Sequence, residues 1–256
     1  MILRDEGLIF LHVTKCGGTS IEQGLVPGLQ VRQLDKQLGV GWDSTRARWL
    51  QHANLPELVE SQILTREEIK KMRVLLVVRS PWSRLVSAFR FLNRERVVRG
   101  AGMGPWPKAT APFGWLDNMS RIDDPKIRSQ VSQMYRHQGD YLDLLNLAQD
   151  RLLLRLEDLG SNPHMLDSFI GRSGFTVNLG NEKRMQPLNS YWGWFDAFTK
   201  ARIMSTYSHD IQLFGYTIPG SGSLAGAWRD RNLMRREKTR LQILSLRVAM
   251  KQKLLN

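Results

Sequence analysis

"GLIFLHVTKCGGTSIEQGL", residues 7–25, passes from an apolar run through one lysine and two glycines into hydroxyl residues and an amphipathic stretch. Residues 8–13 read as a buried strand and 18–25 as the helix that follows a short turn. A turn of this kind aims the first N–H groups of a helix at an anion. The helix dipole favours negative charge there, and glycine lets the backbone come close. The candidate anion-binding residues are therefore Lys15, Cys16, Gly17, Gly18, Thr19 and Ser20, with Lys15 able to reach a bridging or terminal phosphate oxygen. The pattern is not G-x-x-x-x-G-K-[ST]: the lysine precedes the glycines and the loop is shorter.

A second strand-to-helix passage follows in "RVLLVVRSPWSRLVSAFRFLNRERVV", residues 73–98. The run 73–78 suits a strand covered on both faces. Ser80 is a good N-cap and Pro81 a good first helical residue. Leu85, Ala88, Phe89 and Leu92 give the helix an apolar stripe. Arg79, at the strand end, offers a planar fork suited to phosphate, and Ser87 lies about two helical turns on. Two phosphate cradles on neighbouring strands suggest a ligand with two separated phosphates. "DRLLLRLEDL", residues 150–159, supplies a third apolar strand. Apolar strands alternating with helices predict a three-layer α/β domain with a mainly parallel sheet, which binds ligands beyond the carboxyl ends of its strands.

Elsewhere, residues 26–46 read as irregular, and short helices are expected in "LPELVESQI" and "TREEIKKM", the latter with Thr65 and Glu68 at capping-box spacing. The Gly/Pro-rich stretch 99–114 is a candidate lid. A helical stretch covers 126–148, residues 161–194 are mixed, and 196–216 form a final helix with its end. The domain reads as 1–219, followed over 220–256 by a Gly/Ser linker and a basic helical tail.

The 256 residues are 42% hydrophobic and 24% charged, an ordinary balance for a globular protein. No run of about 18 apolar residues appears, and the start does not read as a secretion signal, so a cytoplasmic setting is expected. The single cysteine excludes an internal disulfide and a multi-cysteine zinc site. Net charge is +13. Such a balance suits a polyanionic cofactor, an acidic polymer, a membrane surface or nucleic acid, although no nucleic-acid motif stands out. In the tail, Leu241, Leu244 and Val248 share one side of a basic helix. That face suits an anionic membrane surface, a partner, self-association, or return to the domain. A P-loop kinase is disfavoured because "RVLLVVRS" ends in arginine where a magnesium-binding aspartate is wanted. A non-catalytic nucleotide- or nucleic-acid-binding protein is a further reading.

Taken together, the motifs resemble a known family. "FLHVTKCGGTSIE" resembles the 5′-phosphosulfate loop of the sulfotransferases that use 3′-phosphoadenosine 5′-phosphosulfate (PAPS). "VVRSPWSRLVSAFRF" resembles their 3′-phosphate motif, and "QHANLPEL" is similar to the family's His-Ala segment. "HQGDYLDLL", "LLLRLEDL", "MQPLNSYW" and "YSHDIQLFGY" follow in the order of the carbohydrate-sulfating, membrane-type branch and its bacterial relatives. The resemblance covers roughly residues 8–216. It implies a P-loop NTPase-like fold, with PAPS as sulfuryl donor and 3′,5′-adenosine bisphosphate as product. It also implies no metal, and an acceptor hydroxyl on a sugar or glycolipid. Lys15 to Ser20 would hold the 5′-phosphosulfate, and Arg79 with Ser87 the 3′-phosphate. Lys15 would stabilise the leaving oxygen, and His52 would act as base, with Glu57 and Glu60 in reserve. His12 reads as structural. Thr14, Cys16, Ser80 and Ser83 depart from the family pattern, and a cysteine at a helix start predicts a thiol-sensitive loop. Trp106, Trp115, Trp192 and Trp194 suit either sugar stacking or packing.

Overall fold

The computed structural model describes residues 1–29, 34–94, 112–159, 163–171 and 191–219. The candidate lid, apart from its last three residues, and the whole of 220–256 lie outside the described residues.

The central sheet has four strands in the order β1-β2-β5-β6, where β1 is Ile2–Leu3, β2 Leu8–Leu11, β5 Arg73–Val78 and β6 Asp150–Arg155. The last three run parallel, and β1 pairs antiparallel with β2. Side chains alternate across this sheet with period two. Ile9 and Leu11 of β2, with Val74, Leu76 and Val78 of β5, enter one core. Leu8, Phe10, Leu75 and Val77 enter the other. Helices α1 (Gly18–Leu25) and Pro163–Ile170 cover the second core with Ile21, Leu25, Leu166 and Ile170. Helices α2 (Leu55–Glu60), α4 (Pro81–Leu92) and α6 (Pro125–Tyr135), the last preceded by α5 (Gly114–Asp117), cover the first. These are the three layers expected of apolar strands alternating with helices. Each buried Val or Leu contributes about 1.5–3 kcal/mol, which is why the two central strands carry almost no polar residues.

The expected short helices form as α2 and α3 (Arg66–Ile69), and Thr65 with Glu68 makes the capping box read from its spacing. Other boundaries differ. The stretch 126–148 is not one helix: α6 ends at Tyr135, and two short 3-10 turns follow. Asp210 accepts the N–H groups of Gln138 at 2.8 Å and Gly139 at 3.0 Å, satisfying donors that helix continuation would have used. Residues 26–46, expected to be irregular, include β3 (Trp42–Asp43), which pairs with β4 (Arg48–Trp49) as a hairpin around a T-shaped Trp42–Trp49 contact. The final helix is two, Ala197–Thr206 and Ser208–Leu213, interrupted at Tyr207, whose hydroxyl bonds the Tyr135 carbonyl at 3.1 Å. Among the described residues, strand β6 is an edge on which only Leu154 is fully buried.

Candidate active site

Strand β2 feeds the glycine turn. Lys15 takes a φ of 64° and Gly17 one of 78°, both in the left-handed region, and this reverses the chain within a few residues. The Cys16 N–H bonds the Val13 carbonyl at 3.3 Å, and the N–H groups of Ser20 and Ile21 bond the Gly17 carbonyl at 3.1 and 3.3 Å. Among the described residues, the N–H groups of Gly17, Gly18 and Thr19 have no backbone acceptor. They are the open donors every helix start leaves, here at the positive end of α1.

These residues line a cleft of about 350 Å³ with Lys15, Ser20, His12 and His52. The Lys15 ammonium stands 4.6 Å from the Phe91 ring centroid. Beneath the turn Arg84, 2% exposed, donates to the carbonyls of Thr14 at 3.1 Å and Arg136 at 2.8 Å. A larger cleft, of about 510 Å³, lies beside Arg4–Glu6, at the opposite end of β2 from the turn. Its Arg4 is already bonded to the carbonyls of Gln37 and Ile63 and to Glu68.

Gly18 has a steric reason to be glycine. A Cβ there would meet the His12 ring at 1.9 Å. The glycine serves the imidazole packed on it as well as any ligand above it.

Cys16 does not line the cleft. It is 1% exposed, with its sulfur 3.6 Å from the Thr14 carbonyl and 3.4 Å from Gln138 Oε1. The thiol faces the core, and its N–H is spent within the turn, so neither a thiol-sensitive loop nor a ligand contact follows from this residue.

Arg79 and Ser87 do not line the cleft that holds Lys15 and His52. The Arg79 main chain is held by the Gln138 amide through two bonds of 2.8 Å. Its guanidinium reaches under the turn to the Lys15 carbonyl at 3.2 Å. Arg79 is 4% exposed, and its Nε is buried with no hydrogen-bond partner among the described residues. Ser87 is half-buried on α4.

His52 ends a 3-10 turn that leads into α2, where Asn54 and Glu57 form a capping box. Its Nδ1 lies 3.1 Å from the His12 carbonyl, and the Tyr141 hydroxyl donates to the His52 carbonyl at 2.8 Å. A carbonyl only accepts, so Nδ1 carries the hydrogen and Nε2 of the neutral ring carries a lone pair. Burial pushes the imidazolium well below the ordinary histidine range, and the neighbouring His12 and Lys15 add to the shift. The Nδ1 bond works in the other direction and does not prevail. His52 is therefore a neutral acceptor at pH 7.

The two reserve carboxylates are elsewhere. Glu57 is clamped by Arg136 through bonds of 2.6 and 2.7 Å. Burial would raise its carboxyl, but Arg136 outweighs that and holds it below the usual carboxylate range. Glu60 is exposed and pairs with Arg48 at 3.1 Å. Neither lines the cleft. Of the candidate tryptophans among the described residues, two are buried and Trp194 is 40% exposed. Trp115 is fully buried and bonds Asn93 at 3.0 Å, Trp192 packs on Trp82, and Trp194 sits between Tyr191 and Arg90. Trp106 lies outside the described residues.

Sequence reasoning missed Glu22, Gln23, Leu29, Gln51, Phe91, Gln130 and Met134, which also line the cleft. Glu22 and Phe91 each lie on a helix after one of the two turns, but no local spacing marks them. Among the described residues, no group of three or more His, Cys, Asp or Glu is arranged to hold a metal ion.

The family model described as "Sulfotransferase family" matches residues 1–151, a span that takes in the glycine turn, His52 and the Arg79 strand end. No curated protein and no solved structure matches the chain.

Proposed function

The chain belongs to the sulfotransferase family, and we propose that it moves the sulfuryl group of PAPS to an acceptor hydroxyl on a carbohydrate or glycolipid. The observation that carries this reading is one cleft that holds a lysine ammonium, three open helix N–H groups and a neutral imidazole with a free lone pair.

Bound PAPS supplies an activated sulfuryl group whose leaving group is a phosphate. This chain's residues do the remaining work by positioning and charge stabilisation. The N–H groups of Gly17, Gly18 and Thr19, with the Ser20 hydroxyl, hold the 5′-phosphate and take up the charge that develops on it. Lys15 neutralises the oxygen between phosphorus and sulfur. His52 Nε2 accepts the acceptor's hydroxyl proton as that oxygen bonds sulfur and the bond from sulfur to the phosphate oxygen breaks. The unpartnered Arg79 Nε and the Ser87 hydroxyl are assigned to the 3′-phosphate. The basic balance of the chain favours anionic ligands and surfaces. The enzyme is placed in the cytoplasm, with residues 220–256 as a contact to an anionic membrane surface or a second copy.

Calorimetric titration with 3′,5′-adenosine bisphosphate tests the donor assignment. Arg79→Ala should weaken binding by roughly 2–5 kcal/mol, because a desolvated charge contact is lost. Lys15→Ala should mainly slow turnover, since its contact strengthens as the leaving oxygen gains charge. Unchanged affinity in Arg79→Ala would remove the 3′-phosphate from this site.

A further inference from the structure

Among the described residues, Glu22 is the only carboxylate that lines the cleft. It lies on α1, 4% exposed, with Oε1 2.9 Å from Nδ1 of His12, itself 6% exposed. A buried carboxylate costs folding free energy unless it is paired, so its presence beside the cleft calls for a reason. Burial would raise its carboxyl, but His12 outweighs burial and holds it below the usual carboxylate range.

The His12 ring is held on several sides. Gly18 leaves it room that no Cβ would leave, Phe10 stacks on it, and His52 meets it edge-on with ring centroids 4.5 Å apart. The His12 carbonyl also accepts from His52 Nδ1. Glu22, His12 and His52 thus form one contiguous chain from α1 to the free Nε2.

Taking a proton turns His52 into a cation. The charged groups that act on it are His12, the Lys15 ammonium from the turn and the Met1 amine, and Glu22 lies one step further out, against His12. The Tyr141 hydroxyl is committed to the His52 carbonyl. Gln130 and Met134 of α6 and Phe91 of α4, which line the same cleft, do not titrate. The neighbours that carry positive charge are His12, Lys15 and the Met1 amine, and Glu22 is the one carboxylate among the described residues that lines the cleft. We propose that Glu22, acting through His12, supplies the counter-charge for the proton that His52 takes, and is a positioning residue for the transfer. This rests on the assignment of His52 as base. In the step, the acceptor O–H bond breaks, the proton goes to His52 Nε2, the acceptor oxygen bonds sulfur and the 5′-phosphate leaves with the S–O electron pair. Glu22 stays ionised throughout.

The test is nitrogen-15 NMR titration of the five histidines, with His12 and His52 identified by single substitutions. The two rings interact, so their midpoints belong to the pair. In Glu22→Gln, which keeps the shape and removes the charge, the midpoint read at His52 Nε2 should fall to lower pH than in wild type, because an opposite charge no longer favours the imidazolium. Glu22→Asp keeps the charge and should hold that midpoint within about half a unit of wild type. Midpoints in folded Glu22→Gln that match wild type overturn the proposal. Carbon-13 observation of Glu22 in the wild-type chain needs no variant: a carboxylate signal from pH 5 to 8 that responds to both histidine titrations is expected, and a protonated Glu22 at pH 6 contradicts the proposal. Binding of 3′,5′-adenosine bisphosphate, measured alongside, separates the two readings. Its absence would strike the donor assignment and leave the titration result standing.

Discussion

The base role proposed for His52 requires a neutral ring, which burial and neighbouring charge favour while its Nδ1 is anchored on the His12 carbonyl. The shift has a consequence for stability. The folded-state pKa lies below the unfolded value near 6.5, so the unfolded chain binds a proton first as pH falls. The contribution of His52 is at its most favourable above pH 6.5 and is lost as pH drops toward the folded pKa. His52→Ala should therefore lose less stability between pH 6.5 and 5 than wild type in urea melts. Its turnover should drop by about 10²–10⁴ while affinity for 3′,5′-adenosine bisphosphate stays within about twofold. Near-wild-type transfer by the folded variant would dismiss His52 as base. His52 was singled out by its position in the motif and its place after a short apolar stretch, and the structure sets it in the same cleft as Lys15. Glu57 was misplaced because its partner Arg136 lies 79 residues away, and long-range ion pairs leave no mark on local spacing. The burial of the Cys16 thiol was hidden for a related reason. The side on which a turn residue points depends on the φ of its neighbours, and the positive φ of Lys15, a non-glycine residue, could not be read from composition.

The strand–turn–helix unit is the element that makes the site. Gly18→Ala drives a Cβ into the His12 ring at 1.9 Å. Relief requires moving either that ring or the start of α1, so we expect a loss of about 1–3 kcal/mol in thermal melts and weaker binding of 3′,5′-adenosine bisphosphate. Wild-type stability and affinity together would show that the ring is not held there. Strands β2 and β5 were legible from unbroken apolar runs, and α4 from Ser80, Pro81 and its apolar stripe. The end of α6 was not, because Asp210, which takes the N–H groups of Gln138 and Gly139, comes from a helix more than 70 residues later. The β3–β4 hairpin was also hidden: two-residue strands are too short to show alternation, and a Trp–Trp contact holds them together.

At the scale of the whole molecule, the described chain ends on residues of the first core. Phe214 and Tyr216 are buried in the first core, and Ile218 packs against it. A chain ending at Gly220 should therefore melt cooperatively and keep its affinity for 3′,5′-adenosine bisphosphate. A broad, non-cooperative melt would make the basic tail part of the core. The parallel sheet sets the two strand-to-helix turns side by side, with the Arg79 guanidinium bonded to the Lys15 carbonyl. The ligand proposed above is a nucleotide with phosphates at both ends of its ribose. Thermal denaturation with 3′,5′-adenosine bisphosphate, against ADP as the nucleotide lacking a 3′-phosphate, tests that claim most directly. At 100 times its dissociation constant a ligand adds about 2.7 kcal/mol, which for a domain of this size raises Tm by about 5–10 °C. The account predicts that rise for 3′,5′-adenosine bisphosphate and a much smaller one for ADP at the same concentration; equal shifts for the two, or none for the bisphosphate, would contradict it.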